Sequence, residues 1–256
     1  MLAPYYAELE VDPPSGPAPV RTPFDAEAMA ILETLRPPVI SFHFGLPVEP
    51  LLQRVRATGA KILSSATTVD EARWLESKGV DAIIAQGVEA GGHRGMFLAE
   101  DLTMQVGTFA LVPQIVRAVR VPVIAAGGIA DAHGVRAALA LGAVAAQVGT
   151  AYLLCPEATT SAVHRSALSG DEARHTAMTN LFSGRPARGI VNRVMRELGA
   201  MQPDIPPFPL ASAALQPLRT AAEAKGRGDF SPLWAGQNTT GCEAIPAGDL
   251  TRRLAP

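Results

Sequence analysis

Short apolar runs alternate with amphipathic segments along the first 150 residues of the chain. The runs cover residues 39–44, 61–66, 82–85, 122–126 and 145–148. Continuous apolar runs of this length are typical of strands that are buried on both faces, as in a parallel sheet. The pattern therefore predicts five parallel strands.

Helix candidates lie before and between these runs, and three of them have start and stop signals. They cover residues 25–35, 47–57, 69–77, 109–119 and 131–141, and three of them end just before Gly59, Gly79 or Gly142. The repeating unit is a strand followed by a helix. The strands begin about 20 residues apart, except for a doubled gap between the third and the fourth. Extra loop length of this kind is where function is usually found.

The strand count leaves two architectures open. A closed (β/α) barrel needs eight strands, and residues 1–36 do not supply three more. The pattern fits either an open doubly wound sheet or a barrel whose first part is lacking. Residues 137–155 form a long uncharged run, but Gly142, Gln147 and Gly149 interrupt it. We interpret that run as the end of a helix followed by a strand, and not as a membrane helix.

Composition narrows the class of partner. The chain is 48% hydrophobic with a mean hydropathy of +0.17 and a net charge of −2, which predicts a globular protein without a basic surface for nucleic acid or anionic membranes. Cys155 and Cys242 are far apart and lack metal-ligand spacing, so we expect two buried or partly buried thiols. No basic and apolar leader follows Met1. We expect a cytoplasmic protein that binds a small molecule.

The loop after the third strand has the composition of an active-site loop. It runs from Gln86 to Gly95 and brackets His93 with glycines at positions 91, 92 and 95. Glycines let the backbone approach a ligand closely, and histidine titrates near neutral pH. A loop histidine that only satisfies backbone groups is the alternative.

Two glycine turns follow the last two predicted strands. Gly127 and Gly128 lie between a strand and a helix with Asp131 as its expected N-cap, and Gly149 and Thr150 end the next strand. A single such turn is often only turn chemistry. Paired turns on successive strands, however, match the phosphate site of (β/α) barrels at strands seven and eight. By this match the five strands correspond to strands four to eight of a barrel, and the lacking strands would precede them. The first and the last of the five would then be unpaired apolar edges.

Six segments carry a resemblance to a known family. They are VISFHFGLP (39–47), KILSSATT (61–68), IIAQGVEAGGHRG (83–95), PVIAAGGIAD (122–131), QVGTAYLLCPEA (147–158) and LWAGQ (233–237). The chain resembles the FMN-dependent nitronate monooxygenases, once called 2-nitropropane dioxygenases. The resemblance implies a TIM (β/α)8-type barrel, here with only the last five βα units, plus a C-terminal helical segment. Residues 1–160 would form the partial barrel, and residues 161–256 would complete it and its active-site mouth.

The same resemblance implies a cofactor, a reaction and site residues. Family members bind FMN and oxidise alkyl nitronates with O2 to carbonyl compounds and nitrite. His93 matches the active-site histidine, and His43 matches a second histidine of the branch that acts on propionate 3-nitronate. Contacts to FMN are implied for Gln86, Gly91, Gly127, Gly128, Gln147, Val148, Gly149 and Thr150.

Physical chemistry supports the roles given to the two histidines. A nitronate is an anion, so an imidazole of His93 could donate to its oxygens or take the α-proton of a nitroalkane. For His43, strand alternation predicts a side chain opposite to Phe42 and Phe44, which in a barrel is either the lumen or the helix-packing side.

The last third of the chain is less informative. Residues 183–189 place two arginines among glycines, which fits either an anion-facing loop or a solvated loop before a helix at 190–198. We interpret residues 203–209 as a connector and 210–225 as a helix. No run of further strands is predicted after residue 160.

Two other functions remain open at this stage. One is an FMN-dependent NAD(P)H reductase of the same fold, acting on an enoyl thioester or a quinone. The other is an inactive truncated fragment. The sequence does not decide between a monomer and a homodimer.

Overall fold

The computed structural model describes residues 1–16 and 22–255 and has an α/β fold. These residues form two compact units. The first comprises Thr22–Glu89 and Gly95–Val148. The second comprises the described part of Met1–Arg21 together with Ala90–Arg94 and Gly149–Ala255. The predicted division at residue 160 stays a prediction.

Up to residue 148 the described strands and helices alternate as the sequence pattern predicts, apart from an unpredicted helix at Ala3–Leu9 and an unpredicted two-residue strand at Gly92–His93. The strands are β1 (Val39–Phe42), β2 (Lys61–Ala66), β3 (Ala82–Gln86), β4 (Gly92–His93), β5 (Val123–Ala126), β6 (Ala145–Gln147), β7 (Thr176–Thr179) and β8 (Ala187–Ile190). The helices are α1 (Ala3–Leu9), α2 (Ala26–Leu35), α3 (Glu49–Ala57), α4 (Val69–Ser77), α5 (Thr108–Ala118), α6 (Ala132–Ala140), α7 (Ala162–Ser169), α8 (Arg193–Leu198), α9 (Ala211–Ala224) and α10 (Ala247–Leu254).

The first unit is built on a parallel sheet with the strand order β1-β2-β3-β5-β6. This confirms the five predicted parallel strands. The central strand β3 is buried along its whole length, and Ile83 packs in one cluster with Leu75 of α4 and Ile115 of α5. Burial of such side chains supplies about 1.5–3 kcal/mol each. Strand β3 therefore gives the loop after it a rigid start.

Side-chain caps fix the helix starts in this unit. Asp25 accepts from two backbone N–H groups at the start of α2, Thr68 accepts from Glu71 at α4, and Asp131 accepts from Gly134 at α6. Each cap satisfies backbone donors that a helix start leaves unpaired, worth about 1 kcal/mol. The predicted capping role of Asp131 is confirmed.

Strands β1 and β6 are the two ends of the parallel sheet. Val39 of β1 is 49% exposed and Val144, just before β6, is 63% exposed. The expectation that these two strands form apolar edges is confirmed for the described residues.

None of the helices within residues 1–16 and 22–255 is long and apolar enough to cross a membrane.

The second unit contains a small antiparallel sheet that the sequence analysis missed. Its strand order is β4-β8-β7. The prediction of no run of strands after residue 160 was wrong. Strands β7 and β8 have four residues each, and their threonine, arginine and glycine residues leave them without the apolar run by which the other strands were predicted. The predicted helix at 190–198 begins only at Arg193, after β8 ends.

Candidate active site

His93 is held by backbone pairing in the second unit. It lies in β4, where Gly92 pairs with Arg188 and His93 pairs with Ala187 of β8. The next amide, that of Arg94, donates to the carbonyl of Pro186 at 2.9 Å. A side chain on a paired strand has a fixed direction, so the sheet orients the imidazole.

One hydroxyl and two aromatic rings surround the His93 imidazole. The Ser183 hydroxyl lies 2.7 Å from Nε2 and is itself buried. The Phe208 ring meets the imidazole edge to face at 5.6 Å, and the Trp234 ring lies tilted at 5.4 Å. The arrangement combines a buried hydroxyl with apolar walls, which is usual in sites that bind small molecules.

Gly91 of the same loop lies against backbone. A Cβ at this position would be 2.5 Å from the Gly236 nitrogen and 2.6 Å from the Ala235 carbonyl carbon. No side chain fits there without moving the main chain. The glycine therefore allows the segment around residue 235 to lie directly on the loop that carries His93.

Gly149 and Thr150 form a second feature of this unit. A Cβ on Gly149 would meet no atom within 4 Å among the described residues. The Thr150 hydroxyl accepts from the Gly236 amide at 2.9 Å, and the Cys242 thiol donates to the Thr150 carbonyl at 3.1 Å. Burial raises the pKa of Cys242 to about 11, so the thiol stays protonated and able to donate at neutral pH. The predicted buried and partly buried thiols are confirmed.

In the first unit, the candidate residues follow the carboxyl ends of parallel strands. His43 follows β1, Gln86 ends β3, the turn of Gly127 and Gly128 follows β5, and Gln147 and Val148 come at the end of β6. Parallel strands bring these ends to one edge of the sheet, where open α/β sheets and barrels carry their sites.

Gln86 and Gly95, which both belong to the first unit, are joined by a hydrogen bond. The Gly95 amide donates to the Gln86 side-chain oxygen at 2.8 Å, and Gln86 is buried. A Cβ on Gly95 would lie 2.8 Å from Cε1 of His43. Glycine at position 95 therefore lets the His43 ring lie close to the backbone.

His43 is less enclosed than its position suggested. The strand β1 ends at Phe42 and Phe44 has a φ of +67°, so the predicted strand alternation across residues 42–44 was wrong. The His43 side chain is exposed, packs beside Phe44 with ring centroids 4.6 Å apart, and has its Nδ1 3.1 Å from the Ser65 hydroxyl.

The Gly127–Gly128 turn has partners that the sequence analysis missed. Both glycines have positive φ, at 118° and 72°. The Thr108 hydroxyl lies 2.9 Å from the Gly127 carbonyl and 2.8 Å from the Glu89 carboxylate. The Thr108 amide also donates to both Glu89 oxygens, so Glu89 caps the start of α5. Glu89 lies in the loop that follows β3, but nothing in the sequence indicates that it reaches α5.

The structure departs in part from the loop predicted at residues 183–189. Residues 187–190 are a buried strand, so the solvated-loop interpretation was wrong there. Arg188 is buried and its guanidinium lies 3.4 Å from the Thr176 carbonyl, while Arg185 lies over the Phe208 ring at 5.7 Å. The segment also supplies Ser183, whose contact with His93 was not predicted.

An apolar cavity of about 560 Å³ lies elsewhere in the second unit. It is lined by residues of α1, α8 and α9, and by Asp204 and Ile205. None of the predicted site residues lines it. Its walls are apolar, and its one acidic side chain would repel an anion such as a nitronate. Its size alone does not make it the active site.

The comparisons with known proteins decide the family. The family model described as nitronate monooxygenase matches residues 8–256. This chain belongs to the nitronate monooxygenase family. A nitronate monooxygenase of Pseudomonas aeruginosa is 43% identical over 256 residues, covering 99% of this chain and 73% of that protein. A second one, from Paraburkholderia phytofirmans, is 42% identical over 257 residues, covering 99% of this chain and 70% of that protein.

Solved structures agree with this family. The nitroalkane oxidase of Streptomyces ansochromogenes superimposes with a TM-score of 0.87 at 39% identity, covering 99% of this chain and 73% of that one. FabK of Thermotoga maritima has a TM-score of 0.69 at 27% identity, covering 92% of this chain and 72% of that one. The family resemblance drawn from the six segments is confirmed, and the chain is a flavin-dependent oxidoreductase of this family.

Proposed function

We propose that the protein oxidises alkyl nitronates with O2 to carbonyl compounds and nitrite, using FMN. The observation that carries the proposal is the setting of His93. The imidazole is fixed by β8, bonded to Ser183 and flanked by Phe208 and Trp234, in a member of the nitronate monooxygenase family.

The residues present fit a flavin mononucleotide. Glycine turns with positive φ, at Gly127 and Gly128, present backbone N–H groups of the kind that bind phosphate, and a Cβ on Gly149 would project into space that no described atom fills. The residues we propose to hold FMN are Gln86 and Gly91 at the ring system, and Gly127, Gly128, Gln147, Val148, Gly149 and Thr150 at the phosphate and ribityl chain. When bound, the isoalloxazine ring supplies the redox chemistry.

The protein's own part in the reaction is binding, orientation and exclusion of water. A nitronate carries its negative charge on two oxygens, so an N–H of the His93 imidazole stabilises it by a charge-assisted hydrogen bond. The Ser183 hydroxyl can donate to Nε2 or accept from it, which supports the imidazole in either protonation state. His93 can therefore also accept the α-proton of a nitroalkane.

The surroundings of His93 suit the alkyl part of the substrate. Phe208 and Trp234 place aromatic carbon beside the imidazole, which favours an apolar chain over a second charge. His43, bonded to Ser65 and exposed, is the proposed second histidine, and we associate it with the additional carboxylate of substrates such as propionate 3-nitronate.

The proposal extends to the architecture, location and assembly of the protein. The five parallel strands correspond to the last five of a (β/α)8 barrel. Residues 161–256 form the C-terminal segment that completes the active-site mouth. The protein acts in the cytoplasm. Light scattering would distinguish a monomer from a homodimer.

The decisive test compares nitronates with NADH as the electron donor. The purified chain is assayed for FMN content by its absorbance spectrum, then for O2 uptake with ethyl nitronate and with propionate 3-nitronate. A separate anaerobic mixing with NADH measures flavin bleaching. The proposal expects nitronate-dependent O2 uptake, nitrite formation and slow bleaching by NADH. Fast bleaching without nitronate oxidation would instead establish the NAD(P)H reductase.

A further inference from the structure

Strand β8 aligns two side chains on one face of the small antiparallel sheet. His93 of β4 pairs with Ala187, and Trp234 forms a bridge with Gly189. Two backbone hydrogen bonds flank that bridge, from Ile190 to Leu233 at 2.8 Å and from Ala235 to Arg188 at 3.3 Å. Residues two apart on a strand share a face, and paired residues project on the same side. His93 and Trp234 therefore stand side by side.

The two residues beneath these rings are small. Ala187 has a methyl group and is fully buried, and Gly189 has no side chain. A Cβ on Gly189 would lie 2.9 Å from the Leu233 carbonyl oxygen and 3.1 Å from Cε3 of Trp234. The first neighbour is backbone and the second is a rigid ring. A methyl group at position 189 therefore displaces the indole or the strand that carries it.

The indole in turn lies against the His93 imidazole. Trp234 contacts His93 at 5.4 Å on one side and Phe182 at 5.5 Å on another, the latter edge to face. Ser183 follows Phe182 in the chain and lies 2.7 Å from Nε2 of His93. The adjacent residues Phe182 and Ser183 thus contact the two rings: Phe182 packs against the indole, and the Ser183 hydroxyl is bonded to the imidazole.

We propose that Trp234, seated on Gly189, is a positioning residue for His93. The indole stops the imidazole from turning about its side-chain bonds, and Ser183 selects one orientation of the ring. This inference rests on the proposed function, because that function makes His93 the residue that binds the substrate. Loss of positioning lowers the rate of the bound complex more than it weakens substrate binding.

The first experiment measures the ring contact without flavin. The chain has two tryptophans, and Trp74→Phe leaves Trp234 as the single reporter. The His164 imidazole lies near the Trp234 backbone, so His164→Gln is added to remove its titration. An imidazolium in contact with an indole quenches its fluorescence. In this background we expect a fluorescence step with pH that His93→Asn abolishes.

The second experiment displaces the indole. Gly189→Ala, in the same background, should reduce the fluorescence step by at least half. In the otherwise unchanged FMN-loaded enzyme it should lower kcat about tenfold while KM changes less than about twofold. The matched control is Gly248→Ala in α10, where the new methyl group would have only the end of Arg252 nearby, at 3.7 Å. The control should keep both the step and kcat.

Each outcome decides a separate statement. A fluorescence step that survives His93→Asn would overturn the ring contact. A reduced step with unchanged kcat in Gly189→Ala would overturn the positioning role. Trp234→Phe, which keeps a ring, should retain more kcat than Trp234→Ala, and equal losses would also overturn it. If the wild-type protein oxidises no nitronate, the proposed function fails, and with it the positioning role in catalysis. The FMN-free titration still decides the ring contact.

Discussion

The two units hold their candidate residues by different physical means. In the parallel-sheet unit, carboxylates of Glu71, Glu89 and Asp131 bind backbone N–H groups at strand ends and helix starts. In the second unit, backbone pairing with β8 and contacts between rings orient His93. Charge-assisted hydrogen bonds fix backbone positions, whereas ring packing fixes the orientation of a side chain. The comparison therefore predicts that substitutions at the carboxylates of the first unit act mainly on stability, whereas substitutions around His93 act mainly on the orientation of its imidazole.

The largest expected effect tests whether His93 carries the chemistry. His93→Asn should retain yellow FMN but lose about 10²-fold or more in turnover, because the side-chain amide cannot exchange a proton near neutral pH. Steady-state O2 uptake measures the loss. His133→Asn is the matched control, since His133 is a helix residue bonded to Arg136. Near-normal turnover in His93→Asn would move the chemistry away from the second unit.

The next effect concerns the buried carboxylate of Glu71. It is 1% exposed and accepts from the Thr67 amide and hydroxyl at 2.7 Å and from the Phe97 amide at 2.6 Å. Glu71→Ala leaves these donors unsatisfied and should cost about 2 kcal/mol of unfolding free energy. That loss should appear as a fall in Tm of about 4–8 °C.

Two controls sharpen the Glu71 experiment. Glu71→Gln keeps one acceptor oxygen and should lose less stability than Glu71→Ala. Glu27→Ala removes an exposed carboxylate in the first turn of α2 and should change Tm little. Equal Tm values for Glu71→Ala and wild type would mean that the carboxylate does not hold the first unit's loops.

A third prediction separates cofactor binding from folding at the two glycine turns. Gly149→Val adds a side chain where no described atom lies within 4 Å, so the protein should fold normally and bind FMN at least about tenfold more weakly by crowding the phosphate. Gly128 has a φ of +72° and a Cβ there would lie 3.3 Å from that of Glu89. Gly128→Val should therefore lose stability as well as FMN.

Fluorescence titration with FMN and thermal unfolding measure these two effects. Wild-type FMN affinity in both variants would reject the proposed phosphate contacts. Loss of FMN together with an equal loss of Tm in both variants would mean that the turns serve folding alone.

The parallel-sheet unit was predictable because its signals are local. The apolar runs at 61–66 and 82–85, the glycines after three of the helices and the cap at Asp131 each lie within a few residues of the element that they define. His93 was found for the same reason, since its glycines are adjacent in sequence. The partners of His93 were not, because Ser183 is 90 residues away in the chain and Trp234 meets it only through the pairing with β8. Glu89 was missed likewise, since its bond to Thr108 joins residues 19 apart.

The smallest expected effect concerns acid sensitivity of the second unit. His164 is half-buried, its Nε2 has no hydrogen-bond partner among the described residues, and burial lowers its pKa below the usual value of about 6.5. A lowered pKa means that the unfolded chain binds the proton first as pH falls. The contribution of neutral His164 to the free energy of unfolding is therefore fully present above about pH 6.5. It is lost as the pH falls from there through the lower pKa of the folded state. His164→Gln should remove this loss, so that its urea midpoint falls less than that of the wild type between pH 7 and pH 5. His133→Gln, at an exposed helix position, should follow the wild type. If His164→Gln also keeps the full acid sensitivity, another group of the unit carries it.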